Sequence, residues 1–172
     1  MRVNAPENVL AALGLLRQAG YTACLVGGCV RDACLGRPAG DYDIATSALP
    51  EQTRAVFAGH KTIDTGLQHG TLTVLAGGMP LEVTTFRTEG AYTDGRRPDA
   101  VFFTPELEKD LARRDFTINA MAWCPQRGLV DPFGGHMDLQ AKTLRAVGQS
   151  RKRFEEDALR ILRALRFACQ LG

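Results

Sequence analysis

At 172 residues and 45% hydrophobic, the chain can bury one ordinary core with room for a small appendage. Its net charge of +2 excludes no class of partner, but the charge is uneven: residues 1–90 hold seven Lys/Arg against eight Asp/Glu, and residues 91–172 hold fourteen against eleven. No apolar run reaches membrane-spanning length, and Asn4 and Pro6 interrupt the place where a secretory leader would become apolar, so a cytoplasmic protein with no membrane partner is expected.

In chain order, "NAPENVLAALGLLRQAG" predicts a helix capped by Asn4, with Pro6 in its first turn and Gly20 as its stop. "YTACLV" reads as a buried strand, and "GGCVRDACLG" as a glycine turn opening a short helix. "DYDIAT" alternates and is rich in β-formers, so a strand is expected there. "LPEQTRAVF" predicts a short helix starting at Pro50. "TLTVLA" and "LEVTTF", joined by a loop holding Gly77, Gly78 and Pro80, predict a hairpin. "TEGAYTDGRRPD" lacks periodicity and reads as a loop. "PELEKDLARRDFTINAMAW" is expected to be mostly helical before a strand at Met121–Cys124. "DPFGG" is a turn, and "RKRFEEDALRILRALRFACQLG" is one terminal helix. This order predicts an α+β fold on a small mixed sheet, followed by the start of an all-helical unit.

Cys24, Cys29, Cys34, Cys124 and Cys169 are odd in number, contain no C-x-x-C, and sit largely in apolar runs. They are expected as small buried hydrophobes rather than as zinc ligands or disulfides. His60, His69 and His136 show no ligand spacing and are given no role. The clusters Arg96-Arg97, Arg113-Arg114 and Arg151-Lys152-Arg153 offer a docking surface for an anion, although such clusters are commonly solvated surface.

Chemistry concentrates in a few short stretches. In a strand, Asp41 and Asp43 point to the same side about 6.6 Å apart at Cα, and two such carboxylates can hold a divalent cation. Alone, D-x-D is commonly a turn or a strand start. Upstream, Gly27 and Gly28 let backbone N–H groups approach an anion, and Arg31 lies one helical turn further on, where it can fork onto phosphate oxygens. Glu82 can join the metal site if its strand neighbours the D-x-D strand; otherwise it is an exposed edge residue. Arg114 and Asp115, with Asn119 four residues on, suit either a ribose or a helix-end salt bridge. In the terminal helix Ile161, Leu165 and Ala168 share one face, which is expected to be buried. Asp157, Arg160, Arg163 and Arg166 mark another, either a solvated face or a rail for a polyanion.

Taken in order, "GGCVRD", "DYDIAT", "EVTTFR", "RRDFTINAMA", "DPFGGHMDL" and "EDALRILRALRFA" resemble the motifs of class II tRNA nucleotidyltransferases and bacterial poly(A) polymerases, members of the DNA polymerase beta-like nucleotidyltransferase superfamily. The resemblance runs from about residue 24 to the C-terminus. It implies a nucleotidyltransferase head over residues 1–140 and the beginning of a helical neck over 141–172, with neck, body and tail helices expected beyond. It implies catalytic Mg²⁺ on Asp41 and Asp43, with Glu82 beside them. Gly27, Gly28 and Arg31 would hold the triphosphate; Arg114, Asp115 and Asn119 would face the ribose. Asp157 and Arg160 would read the base, with Arg163 and Arg166 further along the rail. "DPFGGHMDL" resembles a hinge and Gly90–Pro98 a mobile segment, both associated with switching from C to A addition. The implied activity is addition of C and A from CTP and ATP to the 3′ end of tRNA. The alternatives are a poly(A) polymerase, a CC- or A-only enzyme, or a non-catalytic nucleotide- or RNA-binding module. Oligomeric state is not readable from these features.

Overall fold

A computed structural model describes residues 3–172. The first helix, α1 (Glu7–Gln18), follows Pro6 rather than Asn4, and buries Val9, Ala12, Leu13 and Leu16, the i, i+3, i+4, i+7 stripe of an amphipathic helix. Strand β1 (Ala23–Val26) is buried at every position and leads through Gly27 into α2 (Gly28–Cys34). Strand β2 (Asp43–Thr46) and α3 (Pro50–Val56) follow; Pro50 stands at the first helical position, where its missing N–H costs nothing, and the Gln52 side chain accepts from the Leu49 N–H at 2.8 Å.

Strands β3 (Thr62–Gly66), β4 (Thr71–Ala76) and β5 (Met79–Thr85) form an antiparallel ribbon. Its β4–β5 turn is Gly77-Gly78, both at positive φ, which primed hairpin turns require and glycine supplies without strain. Strands β6 (Arg87–Glu89) and β7 (Val101–Phe103) make a separate two-stranded sheet. Helix α4 (Leu107–Ala112), a 3-10 turn at Thr117–Asn119, strands β8 (Ala122–Cys124) and β9 (Gly128–Val130), and helices α5 (Gly135–Gln140), α6 (Ser150–Glu156) and α7 (Leu159–Leu171) complete the chain.

The large sheet has the order β3-β4-β5-β2-β1-β8-β9. It is mixed, because β2 and β5 run parallel while the other neighbours are antiparallel. One face carries the main core, with Leu25, Ile44, Leu81 and Val83 packed beneath α1 and α3. The other face holds a smaller cluster of Cys24, Val26, Ala45, Phe86, Ala122 and Cys124 under Leu107 and Leu111 of α4. Asp43 and Glu82 are register partners on this second face, so the sheet end nearest Gly27 is left to polar groups.

This is the expected α+β fold on a mixed sheet, with local differences. The D-x-D segment enters its strand only at Asp43, so Asp41 lies ahead of the strand. The stretch around 107–120 is a short helix and a 3-10 turn instead of one helix. The terminal helix is broken at Asp157, which is extended (φ −146, ψ 106) and whose carboxylate accepts from the Leu159 N–H at 2.9 Å. An Asp that bonds its own downstream backbone competes with the helical ladder.

Two expectations are reversed. Cys24 and Cys124 are disulfide-bonded, because antiparallel pairing of β1 with β8 brings their Cα atoms to 4.4 Å across a sequence separation of 100. Cys29 keeps the predicted role of a buried thiol, its pKa pushed up to about 11 by burial. And α7 is turned the other way: Ile161 and Leu165 are 50% and 61% exposed and Ala168 is also exposed, while Arg160 and Phe167 are buried. Arg160 is buried against Glu156 and Arg163 reaches Asp115, while Arg163 and Arg166 themselves remain exposed.

Among the described residues no helix is long and apolar enough to cross a membrane. Helix α5 packs on the 3-10 turn so closely that a Cβ on Gly135 would lie 2.1 Å from the Thr117 carbonyl oxygen. Backbone cannot yield as a side-chain tip does, so Gly135→Ala is expected to cost about 3 kcal/mol, seen as a lower urea midpoint. An unchanged midpoint would contradict this packing.

Candidate active site

A cleft of about 650 Å³ opens between the sheet end, α4 and α7. It is lined by Gly27, Gly28, Arg31, Asp43, Glu89, Arg113, Arg114, Asp115, Asn119, Asp157, Leu159, Arg160, Arg163, Arg166, Phe167 and Gln170. Residues from position 27 to position 170 thus converge, and most of the polar residues singled out in the sequence are among them.

The carboxylates sit at the sheet end. Val26 of β1 pairs with Asp43 of β2, and Asp43 with Glu82 of β5, so the glycine turn, Asp43 and Glu82 are fixed side by side by strand register. Glu82 is therefore a neighbour of the D-x-D strand, as one of its two readings required. Asp41 and Glu82 stand outside the cleft lining, though both charges reach Asp43. Burial, Glu82 and Asp41 push the Asp43 carboxyl above its ordinary range, against a lowering pull from Arg114. Among the described residues no hydrogen bond or ion pair engages the side chains of Asp41, Asp43 or Glu82. No three His, Cys, Asp or Glu side chains among those residues form a ready metal cage. Carboxylates clustered in this way, with Arg114 near but not paired to them, suit a Mg²⁺ ion, which takes one or two carboxylates and keeps water and phosphate oxygens for its other positions.

Gly27 has φ +72, and a Cβ there would sit 3.3 Å from an Arg114 Nη atom, so the bare backbone lets that guanidinium approach. Arg114 donates to Asp110 at 3.1 Å, not to Asp115 beside it, and its Nε is buried without a partner among the described residues. Arg31 donates to Asp32 at 2.9 Å and to the Asn119 side-chain carbonyl at 2.9 Å, and its guanidinium lies 5.4 Å from the Phe167 ring centroid. Asp115 accepts from the Phe116 N–H at 2.8 Å, from Asn119 at 3.5 Å and from Arg163 at 2.7 Å. The salt bridge expected as the alternative for Asp115 is made, but to Arg163 of α7.

The helix that carries Arg160 is tied to the rest through charges. Arg160 Nη1 donates to Glu156 at 2.7 Å and to the Arg153 carbonyl at 2.9 Å. Arg153 donates to Glu156 and to the carbonyls of Ala112 and Arg113. Arg113 and Arg153 are thus held in internal ion pairs and hydrogen bonds, while Arg151 and Lys152 remain exposed. Arg166 lies over the Phe167 ring at 5.0 Å, and Asp157 lines the cleft while capping α7.

Sequence reading missed Glu89, Asp110 and Phe167 as site residues and saw Arg113 only as part of an arginine cluster. Asp110 is almost fully buried between Arg113 and Arg114, and Glu89 is buried against Arg113. No local motif marks either residue; the available signal was an acidic residue three positions from an arginine pair.

The chain is similar to known proteins. Residues 23–145 match the family described as the poly A polymerase head domain. The chain is 54% identical over 164 residues to the CCA-adding enzyme of Geobacillus thermodenitrificans (strain NG80-2), covering 94% of this chain and 40% of that protein. It is 52% identical to the CCA-adding enzyme of Geobacillus stearothermophilus, covering 96% and 41%. The crystal structure of Bacillus stearothermophilus CCA-adding enzyme in complex with CTP superposes with a TM-score of 0.85 at 50% identity, over 94% of this chain and 38% of that one. A tRNA nucleotidyltransferase complexed with a primer tRNA and an incoming ATP analog superposes with a TM-score of 0.69 at 35% identity, over 91% and 44%. The chain spans about 40% of the length of these curated relatives. With the head-domain match over most of its length and relatives above half identity, this chain belongs to the poly A polymerase head domain family.

Proposed function

We propose that this chain carries the catalytic head of an enzyme that adds nucleotides to the 3′ end of tRNA, taking C and A from CTP and ATP. The observation that carries the reading is the single cleft in which Asp43, the Gly27–Gly28 turn, Arg114, Asp115 and the α7 arginines converge. Relatives named CCA-adding enzymes, one of them crystallised with CTP, support this substrate choice. The domain division at about residue 140, with the beginning of a neck after it, belongs to the same proposal, as does a cytoplasmic setting where tRNA ends are completed.

The 3′-hydroxyl of the RNA attacks the α-phosphorus of the nucleotide and releases its proton to solvent, the P–O bond to the β-phosphate breaks, and pyrophosphate leaves. Asp41 and Asp43 would hold Mg²⁺, with Glu82 adjacent. Bound there, Mg²⁺ supplies Lewis-acid stabilisation of charge on the attacking and leaving oxygens. Gly27 and Gly28 give the phosphates a close backbone approach, and Arg31 and Arg114 neutralise their charge. Asp115 and Asn119 meet the ribose hydroxyls. Asp157 accepts from an exocyclic amine while Arg160 donates to the neighbouring ring nitrogen, and Arg163 and Arg166 favour further phosphates. Positioning and charge neutralisation carry the rate, because no side chain forms a covalent bond to the substrate.

The test incubates the chain with Mg²⁺, labelled CTP or ATP, and tRNAs ending before or within CCA. Products ending in CCA are expected. Runs of A, or addition of C or A alone, point to the related polymerase chemistries. Nucleotide binding without any product marks a non-catalytic binding module. Absence of Mg²⁺-dependent CTP and ATP binding overturns the site.

A further inference from the structure

Beside the cleft, a chain of side chains that the chemistry above leaves unused leads to Arg160. Asp110 Oδ1 accepts from Arg113 Nε and Nη2 at 3.0 and 2.9 Å, and Arg113 Nη1 donates to Glu89 at 2.8 Å. The Tyr92 hydroxyl donates to the other Glu89 oxygen. Arg160 Nη2 approaches the Tyr92 oxygen at 3.5 Å, and its guanidinium lies 5.7 Å from that ring's centroid. Glu156 and Arg153 link Arg160 back to the carbonyls of Ala112 and Arg113. Where α6 breaks before α7, the Ala158 N–H donates to the Gly95 carbonyl at 3.0 Å, so the loop bearing Tyr92 also touches the backbone that carries Arg160.

We propose that Tyr92 is a positioning residue for Arg160, its hydroxyl anchored on Glu89 and its ring holding the guanidinium in one orientation, so that the cleft discriminates among bases. The inference rests on the proposed function, which gives Arg160 a base to read. Both hydrogens of Arg160 Nη1 are committed, to Glu156 and to the Arg153 carbonyl. The Tyr92 oxygen spends its one hydrogen on Glu89, leaving lone pairs for Nη2. A guanidinium held in this way addresses a base with what remains of Nη2 and with Nε, in a fixed direction. Cytosine N3 and adenine N1 are acceptors there, whereas uracil N3 and guanine N1 carry hydrogens and oppose a donor. That rejection holds only while the arginine cannot swing onto a neighbouring O2, O4 or O6 atom. Burial and Glu89 hold the Tyr92 phenol above its ordinary pKa, so the hydroxyl stays protonated at neutral pH. Glu89, which burial pushes up, is pulled below its ordinary range by Arg113, Tyr92 and Arg87 and stays charged to receive it.

The experiment measures Mg²⁺-dependent binding of CTP, ATP, UTP, GTP and inorganic tripolyphosphate to the wild-type chain, Tyr92→Phe and Glu89→Gln, with melting curves for each. Tyr92→Phe keeps the ring and loses the oxygen. It is expected to lower the preference for CTP and ATP over UTP and GTP by about tenfold, with tripolyphosphate affinity unchanged. Glu89→Gln is expected to shift the preference in the same direction by a smaller factor. A wild type that discriminates and a Tyr92→Phe that discriminates equally overturn the inference alone. Equal weakening of all five ligands overturns it too, since Tyr92 would then only be holding the loop. A wild type that binds no nucleotide overturns the proposed function and the inference with it.

Discussion

Asp43→Asn is expected to reduce Mg²⁺-dependent nucleotide transfer by roughly 10³-fold or more without lowering the melting temperature at neutral pH. The variant keeps the shape of the side chain and removes one of two register-paired carboxylates. In the wild type, burial, Glu82 and Asp41 together hold the Asp43 carboxyl above its ordinary value of 3.8. A carboxyl raised in the folded state favours folding only while protonated, so its ionisation carries a stability cost that appears as pH rises through the raised value. That cost is absent below about pH 4. Wild type and Asp43→Asn should therefore converge in stability in acid, with the variant equal or more stable at neutral pH. A variant that melts lower at pH 7, or that transfers at wild-type rate, contradicts the assignment. The pattern separates a site residue from a structural one, because a structural carboxylate loses stability on substitution.

Asp110→Ala is expected to show that opposite pattern. Its carboxylate is only 1% exposed, accepts from Arg113 and Arg114, and accepts from the Arg87 N–H at 3.2 Å. Removing it leaves the largely buried Arg114 without an acidic partner and Arg113 with Glu89 alone, at a cost of about 3–5 kcal/mol. At this chain length the melting temperature should fall by roughly 6–20 °C. Burial pushes this carboxyl up, but Arg113 and Arg114 outweigh it and hold the folded value below 3.8. Its contribution is therefore present above the ordinary carboxylate pKa and fades as pH falls through the lowered one. The gap between wild type and Asp110→Ala should be full at neutral pH and narrow below about pH 4. A melting temperature within 2 °C of wild type would remove Asp110 from the role of keystone for Arg113 and Arg114. Nucleotide affinity should fall as well, since Arg114 loses the partner that aims it beside Gly27.

The two aspartates differ in how legible they were. Asp43 stood out because it lies in a local pattern, two residues from another aspartate and shortly after a glycine turn and an arginine. Asp110 looked like one more acidic residue in a charged helix. Its importance comes from the burial of α4 beneath the sheet end and from Glu89, 21 residues upstream, which meets the same Arg113.

From the sequence alone, the α+β class, the paired glycines, the D-x-D segment, the β4–β5 hairpin and the order of motifs could be read, because each depends on neighbours within a few residues. Tertiary structure alone decided that Glu82 stands beside Asp43, since that follows from the single parallel pairing in the sheet. It alone joined Cys24 to Cys124, through the β1–β8 register. It also decided which face of α7 turns inward. Periodicity defines two faces of a helix and normally assigns the aliphatic one to the core, because an unpaired buried charge is costly. Here Glu156 and Asp115 pair with Arg160 and Arg163, so the arginine face lines the cleft and Ile161, Leu162 and Leu165 stay exposed. Charge compensation reversed the hydrophobic rule, and the Asp115–Arg163 pair, 48 residues apart, meets only once the chain has folded.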